Sequence, residues 1–179
     1  MKIESILSIM LISLMLPTTV AQLGYVNDNT PPSVASFNFA PRVVDISSGS
    51  QNITFTVRFI DDLSGISDGE IDGNPIIPSQ ARFYSESGDN YLTVEFRSPS
   101  NDPKFNNSNL VSGNKLNGVY VNNMVVPKDA EIGNWTLDYL SVVDEAGNKR
   151  DYDKYQMFVM GFPIRFYVKY GYSYLRFPF

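Results

Sequence analysis

The chain has 179 residues and a formal net charge of -5 at pH 7. It contains no cysteine and no histidine, which excludes disulfides, thiol chemistry and imidazole catalysis. Acidic and basic residues are mixed along the sequence without a basic stripe, so we expect no nucleic-acid partner, and cations are favoured over anions as ligands.

The first residues predict a signal peptide. Lys2 gives a charged start, residues 6–16 form an apolar run, and Thr19, Val20 and Ala21 form a small-residue cleavage pattern. The apolar run is too short to span a bilayer comfortably, and no later stretch has the ~20 apolar residues of a transmembrane helix. We therefore expect cleavage after Ala21 and a secreted or cell-surface protein with no transmembrane segment.

Alternating apolar and polar residues predict strands through the rest of the chain. In "ITFTVRFID" the apolar residues Phe55, Val57 and Phe59 alternate with polar ones, and the same period recurs in "SFNFAP", "YLTVEF" and "WTLDY". Turn-forming clusters separate these runs, and no long stretch has helical periodicity. The pattern predicts an all-β antiparallel sandwich. Its predicted strands are 34–40, 43–47, 53–60, 81–87, 91–98, 118–126, 134–143 and 151–160. Its predicted core residues are Phe37, Phe55, Val57, Phe59, Leu92, Val94, Phe96, Trp135 and Leu137, with Tyr139 on the same side of its strand as Trp135.

Two segments do not follow the strand pattern. Residues 99–117 are polar and rich in asparagine and serine, which predicts an excursion over the surface. Residues 169–179 form an aromatic C-terminal tail, after a domain that we assign to 22–168. The tail is interpreted either as an exit segment after the last strand or as an aromatic edge that pairs with another chain, giving self-association.

Four short motifs in a fixed order carry a resemblance to a known family. They are "DNTPP" at 28–32, "FIDDLSGI" at 59–66, "GNWTL" at 133–137 and "VVDEAGN" at 142–148. Together they resemble the immunoglobulin-like, cadherin-like domains of bacterial and archaeal surface proteins, over residues 28–168. The resemblance implies an immunoglobulin-like β-sandwich.

In such a sandwich the N-terminal entry, the B–C loop after strand 53–60 and the F–G loop after strand 134–143 lie at one end. Continuing the inward phase of strand 53–60 past Phe59 reaches Asp61, where the core gives way to a polar pole. In calcium-binding relatives, acids at these loop ends bind the ion. The resemblance thus implies a calcium site, with the ligands Asp28, Asp61, Asp62, Asp144 and Asn148.

Calcium suits these residues because it takes about 6–8 oxygen ligands in flexible geometry. The alternative is that the acids only form turns, with Gly147 supplying a positive φ and the aspartates bonding nearby amides. Both interpretations remain open from the sequence.

No nucleophile-base pair or histidine metal site is available, so we expect no enzymatic activity. The first function hypothesis is an exported, non-catalytic module for cell-surface structure or adhesion, which binds calcium at the pole and contacts a surface protein or polysaccharide. The alternative is a carbohydrate-binding module whose contact surface is the 99–117 excursion with exposed tyrosines.

Overall fold

The computed structural model describes residues 27–105 and 107–171. The predicted signal peptide and residues 172–179 of the predicted tail lie outside the described residues. Among the described residues no helix is long and apolar enough to cross a membrane.

The described chain consists almost entirely of strands. They are, in chain order, β1 (Ser33–Ala40), β2 (Val43–Asp45), β3 (Gln51–Ile60), β4 (Glu70–Ile71), β5 (Asn74–Pro75), β6 (Ser79–Tyr84), β7 (Tyr91–Phe96), β8 (Leu110–Asn114), β9 (Asn117–Val126), β10 (Gly133–Val143), β11 (Lys149–Asp153) and β12 (Arg165–Lys169). A short 3-10 helix covers Pro103–Phe105, and one α-helix, α1, covers Lys154–Val159.

Two sheets pack face to face and form the predicted all-β sandwich. One sheet has the order β1-β3-β9-β8. The other has the order β2-β12-β10-β6-β7, with β11 also paired to β10. Pairing within both sheets is antiparallel, except that β2 runs parallel to β12. The first strand is thus divided, with β1 in one sheet and β2 in the other.

Phenylalanine rings fill the space between the sheets. Phe39 packs on Phe55 with ring centroids 5.0 Å apart, and Phe83 packs on Phe166 at 5.4 Å. The predicted core residues are buried, which confirms the strand phases, and only Leu92 is half-buried against the core. The alternation in the sequence therefore identifies the inner faces of both sheets.

The phase of β10 changes halfway along the strand. Its pairing with β6 shifts between Leu137 and Tyr139, so two residues on β10 face one on β6. Leu140 and Val142 are consequently buried, whereas Tyr139 lies on the outer face and its ring contacts Arg82 at 5.0 Å. The prediction that Tyr139 shares the inner face with Trp135 is therefore wrong, because a strict period of two does not survive a bulge.

The predicted last strand at 151–160 is also wrong. β11 ends at Asp153, helix α1 follows, and the strand resumes as β12. Both β11 and β12 pair with β10, at Tyr139–Val143 and Gly133–Thr136 respectively. The position beside β10 is thus occupied by a strand that residues 154–164 interrupt. β12 includes Lys169, which the sequence analysis assigns to the tail, and Tyr170 beyond it is 63% exposed.

The 99–117 segment contributes to a sheet, which the sequence analysis did not predict. Its residues 110–114 form β8, which pairs with β9 and closes one edge. Asn109 supports this arrangement because its side chain accepts a hydrogen bond from the Arg97 amide at 3.0 Å. The rest of the segment is mainly exposed, as predicted.

The turn between β6 and β7 is held by Glu131 from the loop before β10. Its carboxylate accepts hydrogen bonds from the Ser87 amide at 3.0 Å and the Ser87 hydroxyl at 2.6 Å. The Asn90 side chain donates a third, at 3.3 Å. The serine hydroxyls and the Ser87 backbone amide lower the pKa of Glu131 from 4.5 to about 2.

Replacing Glu131 with glutamine is expected to lower stability at neutral pH, because the ionised form is bound more favourably in the folded protein. A lowered folded-state pKa gives stability that is complete above pH 4.5 and is lost as the pH falls towards 2. Urea midpoints for the parent and Glu131→Gln should therefore differ at pH 7 and converge near pH 2. A difference that is constant with pH would contradict this origin. Asp129→Asn, which removes a neighbouring exposed acid, serves as the control.

Candidate metal centre

Asp61 lies where the buried row of β3 ends. It follows Val57 and Phe59 in the same phase, and it is only 6% exposed. Its amide donates to the Leu116 carbonyl at 2.8 Å, which keeps it in line with the sheet. The loop then curls around one carboxylate oxygen, since Oδ2 accepts hydrogen bonds from Leu63 N at 3.1 Å and Gly65 N at 2.6 Å.

Glycine is required at position 65 of this loop. Its φ is +89°, in the region that favours glycine, and a Cβ there would lie 2.5 Å from Cγ of Lys115. The close approach lets the Lys115 carbonyl accept a hydrogen bond from Ile66 N at 2.9 Å. The positive φ of Gly65 and the hydrogen bond from Ile66 N therefore fix the loop conformation that orients Asp61.

The second carboxylate oxygen of Asp61, Oδ1, is buried and has no hydrogen-bond partner among the described residues. Leaving a buried polar atom unpaired costs on the order of 1–3 kcal/mol, and more for a charged group. The hydroxyl oxygen of the neighbouring Ser64 is also buried without a hydrogen bond of regular geometry. Oδ1 of Asp61 thus lacks a donor among the described residues.

Asp28 approaches from the N-terminal entry and is 7% exposed. Its Oδ1 accepts a hydrogen bond from Thr30 N at 3.0 Å, and its Oδ2 accepts one from Ser64 N at 2.8 Å. The nearby Ser64 hydroxyl and the Thr30 amide lower the pKa of Asp28, against the opposing effect of burial. Asp28 is therefore held as a carboxylate at neutral pH.

Asp28, Asp61 and Asp62 form a cluster of carboxylates. One oxygen of each lies within 4.8 Å of the others, and Asp62 is the exposed member. Within the described residues, none of the three forms an ion pair with a lysine or arginine. Like charges this close repel each other and create a strongly negative site.

Asp144 and Asn148 lie beside this cluster, on the loop between β10 and β11. Asp144 is fully buried, and its Oδ1 and Oδ2 accept hydrogen bonds from the amide and side chain of Asn148, at 2.7 and 2.8 Å. The Asn148 side chain also donates to the Asp28 carbonyl at 3.1 Å, which joins this loop to the entry segment. Gly147 has the positive φ, +88°, that a turn requires.

Burial raises the pKa of Asp144, and the charges of Asp28 and Asp61 raise it further. The Asn148 side chain, which bonds both Asp144 and the Asp28 carbonyl, joins Asp144 to the cluster. Asp144 is not among the acids whose oxygens lie within 4.8 Å of one another, and both of its oxygens are bonded to Asn148. In this geometry Asp144 and Asn148 support the cluster, and their role as ligands remains a prediction.

Lys115, which contacts the loop after β3 at Gly65, is already paired. Lys115 Nζ lies 2.5 Å from Oε2 of Glu145, the residue after Asp144. The two loops are also bonded through their backbones, since Glu145 N donates to the Gly65 carbonyl at 2.8 Å. The negative charge of Asp28, Asp61 and Asp62 therefore has no counter-ion within the described residues.

The oxygen atoms of this cluster favour binding of a hard cation. The cluster offers carboxylate oxygens, with no nitrogen or sulfur ligand because the chain lacks histidine and cysteine. The fold and site define an all-β sandwich with an acidic, oxygen-rich pole.

The chain belongs to a family described as a domain of unknown function, DUF7743, whose model matches residues 26–173. This range includes the acidic cluster and β12. No curated protein and no solved structure matches the chain.

Proposed function

We propose that the protein is an exported, non-catalytic immunoglobulin-like module of the cell surface, which binds Ca²⁺ at the pole formed by Asp28, Asp61 and Asp62. The observation that carries the proposal is the buried Oδ1 of Asp61, which has no hydrogen-bond donor among the described residues and belongs to a member of the carboxylate cluster. A bound cation would compensate both the unpaired oxygen and the repulsion between the acids.

The order of the strands supports the immunoglobulin-like part of the proposal. Immunoglobulin sandwiches place strands A, B, E and D in one sheet and C, F and G in the other. Here β1, β3, β9 and β8 occupy the first sheet, whereas β6, β10 and the divided last strand occupy the second. Export is supported by the predicted signal peptide, and a role at the cell surface by the resemblance to immunoglobulin-like domains of surface proteins.

Calcium is proposed rather than magnesium because the ligands come from an irregular loop and an entry segment. Magnesium requires near-ideal octahedral geometry at about 2.0–2.1 Å, whereas calcium accepts variable coordination at about 2.3–2.6 Å. An ion here would connect the start of the chain to the loop after β3. Its structural effect would therefore be to stiffen this end of the sandwich.

Calcium is expected to raise the melting temperature of the parent protein. An ion that binds only the folded state stabilises it by about 2.7 kcal/mol at a hundredfold excess over Kd. For a domain of this size that corresponds to an increase of about 5–10 °C. Differential scanning calorimetry in calcium, magnesium and EDTA measures the effect, and magnesium should give the smaller shift.

The variant Asp61→Asn should separate ion binding from turn formation. Its side-chain oxygen can still accept the bonds from Leu63 and Gly65, while its NH₂ group places a donor near the other two carboxylates. We expect Asp61→Asn to melt at or above the parent temperature in EDTA, but to lose the increase with calcium. Asp89→Asn, at an exposed turn position, should keep the parent response. An unchanged parent melt in millimolar calcium, or an equal calcium response in Asp61→Asn, would show that the acids only form turns.

A further inference from the structure

Residues 154–164, which separate β11 from β12, contain the anchored helix α1. Asp153 caps α1 by accepting hydrogen bonds from the amides of Tyr155 and Gln156, both at 2.8 Å, and Gln156 accepts one from the Asp153 amide at 2.9 Å. Met157 is fully buried in the core. The helix is therefore fixed at its start and anchored in the middle.

This anchored helix holds large apolar side chains in solvent. Tyr155 is 70% exposed and Phe158 is 66% exposed, on either side of the buried Met157. Both line a groove of about 710 Å³, whose other apolar wall is formed by Phe162 and Ile164 in the segment leading to β12. Exposed apolar surface of this kind on a rigid element is typical of a binding site.

The groove carries positive charge in a chain that is negative overall. Arg42, Lys154 and Arg165 line it, and its lining contains no aspartate or glutamate. Within residues 27–105 and 107–171, none of these three cations forms an ion pair. Lys154 Nζ lies over the Tyr155 ring, 5.3 Å from its centroid. Acids outnumber bases by 19 to 14 in the sequence, so three cations without an ion pair in a groove that also has exposed aromatic rings indicate an anionic ligand with an apolar face.

A polar recess of about 430 Å³ adjoins the groove and shares Lys154 and Arg165 with it. Its lining includes Glu86, Asn134 and Asp138, all exposed. These groups can exchange hydrogen bonds with hydroxyls. A polyacidic peptide such as polyglutamate carries no hydroxyls that these groups could bond.

We propose that the groove and recess bind an acidic polysaccharide composed of uronic acid units. The carboxylate of a sugar would pair with Lys154 and Arg165, the apolar face of its ring would pack on Tyr155 and Phe158, and its hydroxyls would bond in the recess. This ligand carries negative charge, an apolar face and hydroxyls in one repeating unit. The site is distinct from the calcium pole, and it also differs from the 99–117 surface that the sequence favours for carbohydrate.

Isothermal titration of the full chain with a galacturonate oligosaccharide tests the proposal. The titration is made in EDTA, so that its outcome does not depend on calcium. We expect the double variant Lys154→Gln, Arg165→Gln to weaken binding by about tenfold or more, and Tyr155→Ala by about two- to tenfold. The control Lys104→Gln, Lys128→Gln removes the same charge from exposed positions outside the groove and should bind as the parent does.

Three ligand controls distinguish the sources of an anionic interaction. A neutral glucan should bind far more weakly than the galacturonate oligosaccharide, and so should polyglutamate of equal charge and vesicles of anionic lipid. The proposal is overturned if the parent does not bind galacturonate, if polyglutamate or the vesicles bind as tightly, or if the control variant loses binding in place of the groove variant. Circular dichroism of each variant verifies that it is folded.

Discussion

Replacing Trp135 with alanine is expected to lower the free energy of unfolding by about 3–5 kcal/mol, as large core truncations do. Trp135 is 1% exposed and stacks on Phe166 of β12, with the ring centroids 5.8 Å apart and the planes at 13°. Its indole N–H donates to the Glu131 carbonyl at 2.9 Å, in the loop that holds the β6–β7 turn. The truncation would thus leave a cavity between β10 and β12 and an unpaired acceptor in the loop.

Guanidinium unfolding followed by far-UV circular dichroism measures this loss, since the variant lacks the tryptophan that fluorescence would report. Ile132→Ala is the matched control, because Ile132 is 55% exposed and lies three residues earlier. The control should change stability by no more than about 0.5 kcal/mol. Equal losses in the two variants would be incompatible with the inner face assigned to β10.

The sequence identifies most of the sandwich because one face of each strand is buried. In β3 the residues Ile53, Phe55, Val57 and Phe59 are all fully buried and alternate with exposed neighbours. The same rule fails in β10, where the bulge between Leu137 and Tyr139 shifts the phase. A bulge depends on the pairing of two strands, so the pattern of a single strand does not indicate it.

The position of Asp61 was predictable for the same reason. Its burial follows from the phase of β3, and its proximity to Asp28 follows from the antiparallel pairing of β1 with β3. The sequence does not indicate that Oδ1 lacks a donor, because the donors come from the conformation of the loop. It also does not indicate that Asn148 donates hydrogen bonds to both carboxylate oxygens of Asp144.

The sequence favoured cations as ligands because the net charge is negative, yet the structure also gathers three unpaired cations into one groove. Arg42 comes from the segment before β2, whereas Lys154 and Arg165 are separated by the helical interruption. Net charge cannot reveal such a local excess. One signal for the interruption was present, since Asp153 and Gln156 have the spacing of a capping box. The apolar run from Met157 to Met160 fits the predicted strand 151–160 as well as a helix, because short apolar runs do not distinguish the two structures.

Met157→Ala is expected to cost about 2–5 kcal/mol of stability, whereas Phe158→Ala should change it by no more than about 0.5 kcal/mol. The two positions are adjacent on α1, but Met157 is fully buried in the core and Phe158 is 66% exposed. Because Met157 is the only buried residue of the helix, its truncation removes the contact that holds the groove wall against the sandwich.

Hydrogen exchange should show which part of the chain the Met157→Ala substitution destabilises. The amides of Met160, Gly161 and Phe162 donate to carbonyls of α1 at 3.0, 2.9 and 3.0 Å, so they report whether the end of the helix is formed. Met157→Ala should increase their exchange rates more than those of β3, whereas Phe158→Ala should leave them near the parent values. Equal protection of these amides in both variants would mean that the capping box alone fixes the helix. The exposed rings of the groove would then depend on local hydrogen bonds rather than on the core.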